Sequence, residues 1–276
     1  MSKRRPIGIF DSGIGGLSIL KEIHSLLPHE DVVYFADQAH VPYGSRSLDQ
    51  VRQLSEEITR FLSDLDAKVI VLACNTASAA SLHYLRAVYP ELPFVGMEPA
   101  VKPAAESTSS GVVGVLATPA TFQGELFASV VDRYADGIQV LQSTLPGLVE
   151  HIESGDLDSP EVQHILKMGL EPLLERGADT LVLGCTHFPF VLPAIRSLSG
   201  EQVQVIDPSP AIARRTQQLL AERHALSEEG MAAQIRYFTS SERDGLENAL
   251  SLLNMPAGEI AQARWKTNRL QEIKSR

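Results

Sequence analysis

Two cysteines are the only thiols of the 276-residue chain, and their surroundings are alike. Cys74 lies in VLACNTASA, residues 71–79, and Cys185 in VLGCTHFPF, residues 182–190. Each follows a short apolar run and precedes small polar residues. Two thiols on opposite walls of one cleft would support a definite chemistry. A thiolate on one side takes a proton from a carbon atom; a thiol on the other returns a proton to the opposite face. The result is inversion of a stereocentre without a cofactor. Two residues of one type suit such a reaction, because substrate and product differ only in handedness. A free thiol has a pKa of about 8.5, lower beside a cation or at a helix N-terminus, and both cysteines stand where a helix is expected to begin. On position alone, a pair of small buried cysteines explains them equally well.

The surrounding polar residues are small. Ser12, Tyr43, Asn75, Thr76, Thr118, Thr121 and Thr186 carry amide or hydroxyl groups. Singly, each reads as a cap or turn residue. Collected at one sheet edge, they would hold a carboxylate with help from helix N-terminal N–H groups. Asp11, Glu153 and His187 are ionisable candidates for assisting proton transfer or orienting a substrate ammonium. Singly, Asp11 reads as a helix cap and Glu153 as a surface residue. The turn Asp11-Ser-Gly-Ile-Gly-Gly16 matches neither G-x-G-x-x-G nor the P-loop ending, and Asp11 would repel a phosphate. Its glycines read either as letting backbone approach a ligand or as a plain tight turn.

These residues need a frame that brings them together. Short β-rich runs alternate with helical patterns. The runs fall at Pro6–Phe10, Asp31–Ala36, Lys68–Ala73 and Pro93–Met97, then at Gly111–Ala117, Gly137–Gln142, Asp179–Gly184 and Val203–Asp207, with a ninth at Gln234–Thr239. Apolar positions 17, 20, 23 and 27 fit one helical face. Strands alternating with helices imply parallel sheets covered on both sides. The expected fold is α/β: two similar parallel-sheet domains related by a pseudo-twofold, with the site in the cleft between them. The expected boundaries are 1–98 plus 208–276 for one discontinuous domain and 99–207 for the other. Residues 98–103 and 106–111 read as the link, and Asp207–Pro210 as the return. In this register both cysteines follow the third strand of their half, at the carboxyl edge where such sheets bind ligands. The basic tail, Arg264–Arg276, reads as a solvated terminal helix.

Bulk properties narrow the function. A net charge of −10 disfavours nucleic acid and anionic membranes as partners. No apolar run approaches the roughly 18 residues of a membrane span. The apolar stretch after the basic start, Ile7–Phe10, is too short for a signal peptide. The expected location is the cytoplasm, where a disulfide is not expected. Two lone cysteines cannot build a structural zinc site, and no His/Asp/Glu cluster has metal-ligand spacing. No lysine stands in a pyridoxal-phosphate setting. Neither metal nor cofactor is expected.

The motifs IGIFDSGIGGLS (7–18), YFADQAHVPYG (34–44), ACNTASA (73–79), GVLATPATF (114–122), LGCTHFP (183–189) and YFTS (237–240) follow one another across nearly the whole chain. In them the chain resembles the glutamate racemases of the aspartate/glutamate racemase superfamily. That resemblance implies cofactor-independent interconversion of L- and D-glutamate, supply of D-glutamate for bacterial peptidoglycan, and a homodimer. It implies that Cys74 takes the α-proton of D-glutamate and Cys185 that of L-glutamate, with Asp11, Glu153 and His187 assisting. Ser12, Pro42, Tyr43, Gly44, Asn75, Thr76, Thr118, Thr121 and Thr186 would line the substrate site. The chain departs from the pattern at Leu145-Pro146, where many relatives have Cys-Pro, and at Gly124 and Phe127, where they often have Ser and Tyr. Glu150 is a near neighbour of Glu153. Some members carry an N-terminal extension and respond to a cell-wall precursor; that activation is not expected here. Three alternatives stay open: an aspartate racemase, a cysteine hydrolase using Cys185 and His187, and a binding protein that has lost catalysis.

Overall fold

Apolar runs become strands covered on both faces. IGIFD at 7–11 and VIVL at 69–72 are wholly buried, as expected of parallel strands between helical layers. The computed structural model describes residues 5–228, 230 and 232–273. In chain order the first half gives β1 (Ile7–Asp11), α1 (Leu17–Leu26), β2 (Val32–Ala36), α2 (Leu48–Asp64), β3 (Val69–Leu72), α3 (Asn75–Val88) and β4 (Phe94–Gly96). The second half gives α4 (Val101–Ser107), β5 (Val112–Ala117), α5 (Pro119–Gln123), α6 (Glu125–Tyr134), β6 (Gln139–Ser143), α7 (Leu148–Glu153), α8 (Pro160–Glu175), β7 (Thr180–Gly184), α9 (Leu192–Ser199) and β8 (Gln204–Ile206). The chain then continues through α10 (Ser209–Glu222), β9 (Ile235–Thr239), α11 (Arg243–Leu252), β10 (Glu259–Lys266) and β11 (Arg269–Ile273).

Two sheets result, and their strands repeat one order. The first runs β11-β10-β9-β2-β1-β3-β4 and the second β6-β5-β7-β8. In each half the second strand lies beside the first, and the third and fourth follow on its other side. The pairs within these sets are parallel. The sequence-predicted pseudo-repeat is therefore present in the strand order. β9 pairs in parallel with β2, Val32 opposite Ile235, so the chain returns to the first sheet. One apolar cluster contains side chains from β1 and from β7, Cys185 among its members, and joins the two halves. Two further clusters cover the other faces.

Local chemistry sets the ends of these elements. Ser47 caps α2 and exchanges hydrogen bonds with Gln50, a capping box. Thr118 caps α5, with Pro119 at its first position. The stretch read as a link holds a helix, α4. Its proline, Pro103, falls in the first turn, where no intrahelical N–H donor is needed. The tail differs from the expected terminal helix: residues 259–273 form an antiparallel hairpin, β10–β11, whose register sets Lys266 opposite Arg269. Thr267 and Asn268 take positive φ of 49° and 59° at its tip, the twist a two-residue hairpin turn requires. The charge of this segment suits an exposed sheet edge as well as a solvated helix, which is why charge misleads here. Residues 274–276 of that tail lie outside the described residues.

The return segment is fastened by a buried ion pair. Lys68 and Glu30 are 0% and 2% exposed at their side chains and are joined directly. Lys68 Nζ also donates to the Ala225 carbonyl at 2.8 Å, and Glu30 accepts from Ser227 N and Oγ at 2.7 and 2.8 Å. Removing one partner of such a pair strands the other. Lys68→Ala is expected to cost about 3–5 kcal/mol in urea unfolding, and Lys68→Met with Glu30→Gln distinctly less. A loss below about 1 kcal/mol for the single change would show that the pair does not hold the return.

Candidate active site

The carboxyl edges of the two sheets meet, and the sequence-predicted residues gather where they do. Cys74 follows β3 and caps α3, its sulfur accepting from Ala77 N at 3.5 Å. Cys185 follows β7 directly. The helix expected at Cys185 begins later: a 3-10 turn over Phe188–Val191 precedes α9, and Phe188 N donates to the Cys185 carbonyl. Proline at 189 and again at 193 explains the delay, since each lacks the donor that an uninterrupted helix needs. Both cysteines are free, buried and in the wall of one pocket. Ser12, Pro42, Tyr43, Gly44, Asn75, Thr76, Thr118, Thr186 and His187 complete that wall, with Val149, an apolar residue that no motif marks.

Three expected residues stand behind the wall. Thr121 bonds Thr76 and Thr118, whose hydroxyls lie 2.8 Å apart, so a hydroxyl cluster joins α3 to α5. Asp11, fully buried, accepts from Gly13 N at 2.8 Å and from Thr186 Oγ1 at 2.9 Å. Burial pushes its pKa up to about 6, against the pull of the nearby His187 and of these hydrogen bonds. Glu153 lies 2.6 Å from His187 Nε2 and accepts from Ile14 N at 2.7 Å. His187 Nδ1 is 3.8 Å from the Cys185 sulfur. Burial would depress the histidine, but its bonds to Cys185 and Glu153 prevail and hold it well above its ordinary pKa. The Cys74 thiol is raised strongly, first by burial and then by the Asp11 charge. Cys185, His187 and Glu153 thus form one hydrogen-bonded line, while Cys74, beside Ser12 and Ala77 N, is kept neutral by burial and the Asp11 charge. Glu150 lines the adjoining cavity instead.

Two details change the reading of the motifs. The Tyr43 hydroxyl does not face the pocket as a free donor; it donates to Asp37 Oδ2 at 2.6 Å. Two glycines of the 11–16 turn, Gly13 and Gly15, admit side chains of the second half. A β-carbon on Gly13 would overlap the Glu153 carboxyl, and one on Gly15 would overlap the His187 ring. Asn75 is buried with both amide atoms unpartnered in the pocket wall. Among the described residues no group of three His, Cys, Asp or Glu converges as a metal site, and no helix is long and apolar enough to cross a membrane. If Gly13 exists to admit Glu153, Gly13→Ala should cost about 1–3 kcal/mol by overpacking. In a Glu153→Ala background most of that cost should vanish, as a double-mutant cycle by urea unfolding would record; equal costs in both backgrounds would refute the close-approach role.

Comparison with known proteins identifies the family. The family described as Asp/Glu/Hydantoin racemase matches residues 7–216. A glutamate racemase of Roseiflexus sp. (strain RS-1) is 47% identical over 260 residues, 94% of this chain and 96% of that protein. The crystal structure of glutamate racemase isoform RacE1 from Bacillus anthracis aligns with a TM-score of 0.88 at 29% identity, over 97% of this chain and all of that one. The Francisella tularensis enzyme, solved in complex with D-glutamate, aligns with a TM-score of 0.81 at 30% identity, covering 94% and 97%. The chain belongs to the Asp/Glu/Hydantoin racemase family and, within it, to the glutamate racemases.

Proposed function

We propose that the pocket racemises glutamate by a two-base mechanism without a cofactor, Cys74 taking the α-proton of D-glutamate and Cys185 that of L-glutamate. The observation that carries this reading is that both thiols line one pocket, together with an Asn75 amide whose polar atoms await partners. Buried polar groups without partners are costly, so Asn75 is poised for a ligand that supplies them. A substrate carboxylate would take the Asn75 N–H₂ and the Thr76 and Thr118 hydroxyls, the Thr186 hydroxyl being held by Asp11. The substrate ammonium would lie toward Ser12 and the Asp11 carboxylate, and its positive charge would offset what keeps Cys74 neutral. His187, oriented by Glu153, would shuttle the proton of Cys185. The pocket encloses only about 20 Å³, room for about one water. An adjoining cavity of about 170 Å³ shares Pro42, Gly44, Thr118 and Val149 with it. Substrate therefore enters as the two sheets part along that side and is caged when they return.

The same reading takes residues 1–98 with 208–276 as one domain and 99–207 as the other, supported by the sheet to which each strand belongs. The family resemblance supports a cytoplasmic homodimer supplying D-glutamate for peptidoglycan; sedimentation equilibrium tests the dimer. The Cys185–His187–Glu153 line is also what a cysteine hydrolase needs, but such an enzyme would not require Cys74.

Substitution of either cysteine by alanine should abolish racemisation in both directions, by at least the roughly 10²–10⁴-fold that a positioned acid or base contributes. The residual chemistry should differ. Cys74→Ala should still exchange the α-proton of L-glutamate with deuterated solvent, slowly and without inversion, and Cys185→Ala that of D-glutamate. NMR of each enantiomer reads this. Near wild-type racemisation by Cys74→Ala would defeat the mechanism; exchange of the same enantiomer by both variants would reverse or erase the assignment of walls.

The pH profile follows from the same requirement. One sulfur must be ionised and the other protonated, so kcat/KM should be bell-shaped in both directions. Asp11 adds to the acid limb: with its pKa raised to about 6, its charge is present above that pH and is lost below it. Activity should therefore fall as pH drops through about 6. A profile flat from about pH 5 to 10 would exclude thiol bases.

A further inference from the structure

The C-terminal hairpin reaches the catalytic pocket through one buried carboxyl group. Asp37, which follows β2, is fully buried. It accepts from Tyr43 Oη at 2.6 Å, Ser240 Oγ at 2.7 Å and Trp265 Nε1 at 2.7 Å, and His40 Nδ1 lies 3.1 Å away. Three separate segments thus converge on it: the loop carrying the pocket wall, the end of β9, and β10 of the hairpin. Tyr43 opens the 3-10 turn Tyr43–Ser45, and the stretch Pro42–Gly44 lines the pocket. Gly44 presses on Thr118 of the other half, where a β-carbon would come within 2.7 Å of the Thr118 side chain. Displacement of this turn by a fraction of an ångström therefore alters the wall that faces the substrate. Trp265 is well placed to prevent it. Its indole N–H is a donor only, so its bond fixes which carboxyl oxygen is taken, and leaves the other for Tyr43. The His40 ring packs edge-on against the indole at 5.1 Å.

We propose that Trp265 is a positioning residue for the racemase reaction: by holding Asp37 it fixes the Tyr43 turn, and with it the affinity of the pocket for glutamate. The proposal rests on the two-thiol pocket being the glutamate site. Trp265 acts through Asp37 and the Tyr43 turn rather than on either sulfur, so its contribution is to binding substrate and transition state alike. Its loss should raise KM and leave kcat nearly unchanged.

Trp265 is the sole tryptophan of the chain, so biosynthetic replacement of tryptophan alters position 265 alone. Protein is made with benzothienylalanine, which keeps the shape of the indole and replaces N–H by sulfur, and separately with 5-fluorotryptophan, which keeps the N–H. Trp265→Phe provides a third form. The two forms without the N–H should show KM raised about tenfold for both enantiomers, as loss of one buried hydrogen bond gives, with kcat within about threefold of wild type. The fluorinated form should match wild type in both constants. Should Trp265→Phe fail to fold, the isosteric benzothienyl form still decides. A KM within about twofold of wild type in that form overturns the proposal, as does an equal rise with 5-fluorotryptophan, which would assign the effect to the ring. Neither result bears on the two-thiol reading, which stands or falls on the cysteine variants.

Discussion

A carboxyl group sealed from solvent at the seam of two sheets is the constraint from which the rest of the site follows. Asp11 ends β1 and accepts from Gly13 of its own half and Thr186 of the other. A buried acid without partners would be prohibitively costly; with these donors and the nearby His187 it is tolerated, yet burial still raises its pKa to about 6. The bond to Thr186 therefore aligns β1 of one sheet with the loop after β7 of the other. That alignment places Cys185 opposite the loop bearing Cys74. The second bridge, Ile14 N to Glu153, runs beside it and turns His187 toward the Cys185 sulfur. Both bridges depend on a turn with no side chains at Gly13 and Gly15.

The same burial sets the resting charges of the pocket. It drives Cys74 strongly toward the neutral thiol, and the Asp11 charge adds to this. Under the proposed mechanism, a substrate that carries an ammonium would oppose this by bringing a cation into the low-dielectric space. Proton abstraction would then be available only when the pocket is occupied. A base active in the empty protein would be exposed to side reactions with solvent and oxidants; a sulfur kept neutral until substrate arrives is protected from both.

Much of this is legible in the sequence because parallel sheets are demanding. Strands buried on both faces leave apolar runs too plain to mistake, and the carboxyl-edge rule then places whatever follows each run. That reasoning, together with the family motifs, locates Cys74, Cys185, Asp11 and Thr118. What the sequence does not disclose are contacts whose partners lie far apart along it. Asp37 stands inside a recognised motif, but its partners Ser240 and Trp265 are some two hundred residues away, and nothing local links them. Tyr43 reads as a hydroxyl for the substrate because a hydroxyl's direction has no sequence signature. The tail from Arg264 reads as a helix although residues 264–273 lie in the hairpin, because the alternating pattern is diluted by exposed charge on an edge strand.

The repeat in strand order makes the differences between the two halves informative. Cys74 and Cys185 occupy equivalent places, each beyond the third strand of its sheet, yet the chain continues from them differently. After Cys74 a regular helix starts at once, so its sulfur faces backbone N–H groups and has no ionisable partner within hydrogen-bonding distance among the described residues. After Cys185, prolines postpone the helix, and the freed residues bring His187 beside the sulfur. Two chemically identical groups are thereby given unequal means of exchanging protons. A reaction between mirror-image substrates requires equal overall driving force in the two directions, but it does not require equal barriers at each step. Unequal walls around a symmetric pair of thiols are consistent with that freedom, since thermodynamics fixes only the ratio of the two directions, and the protein is left to set each barrier by its own surroundings.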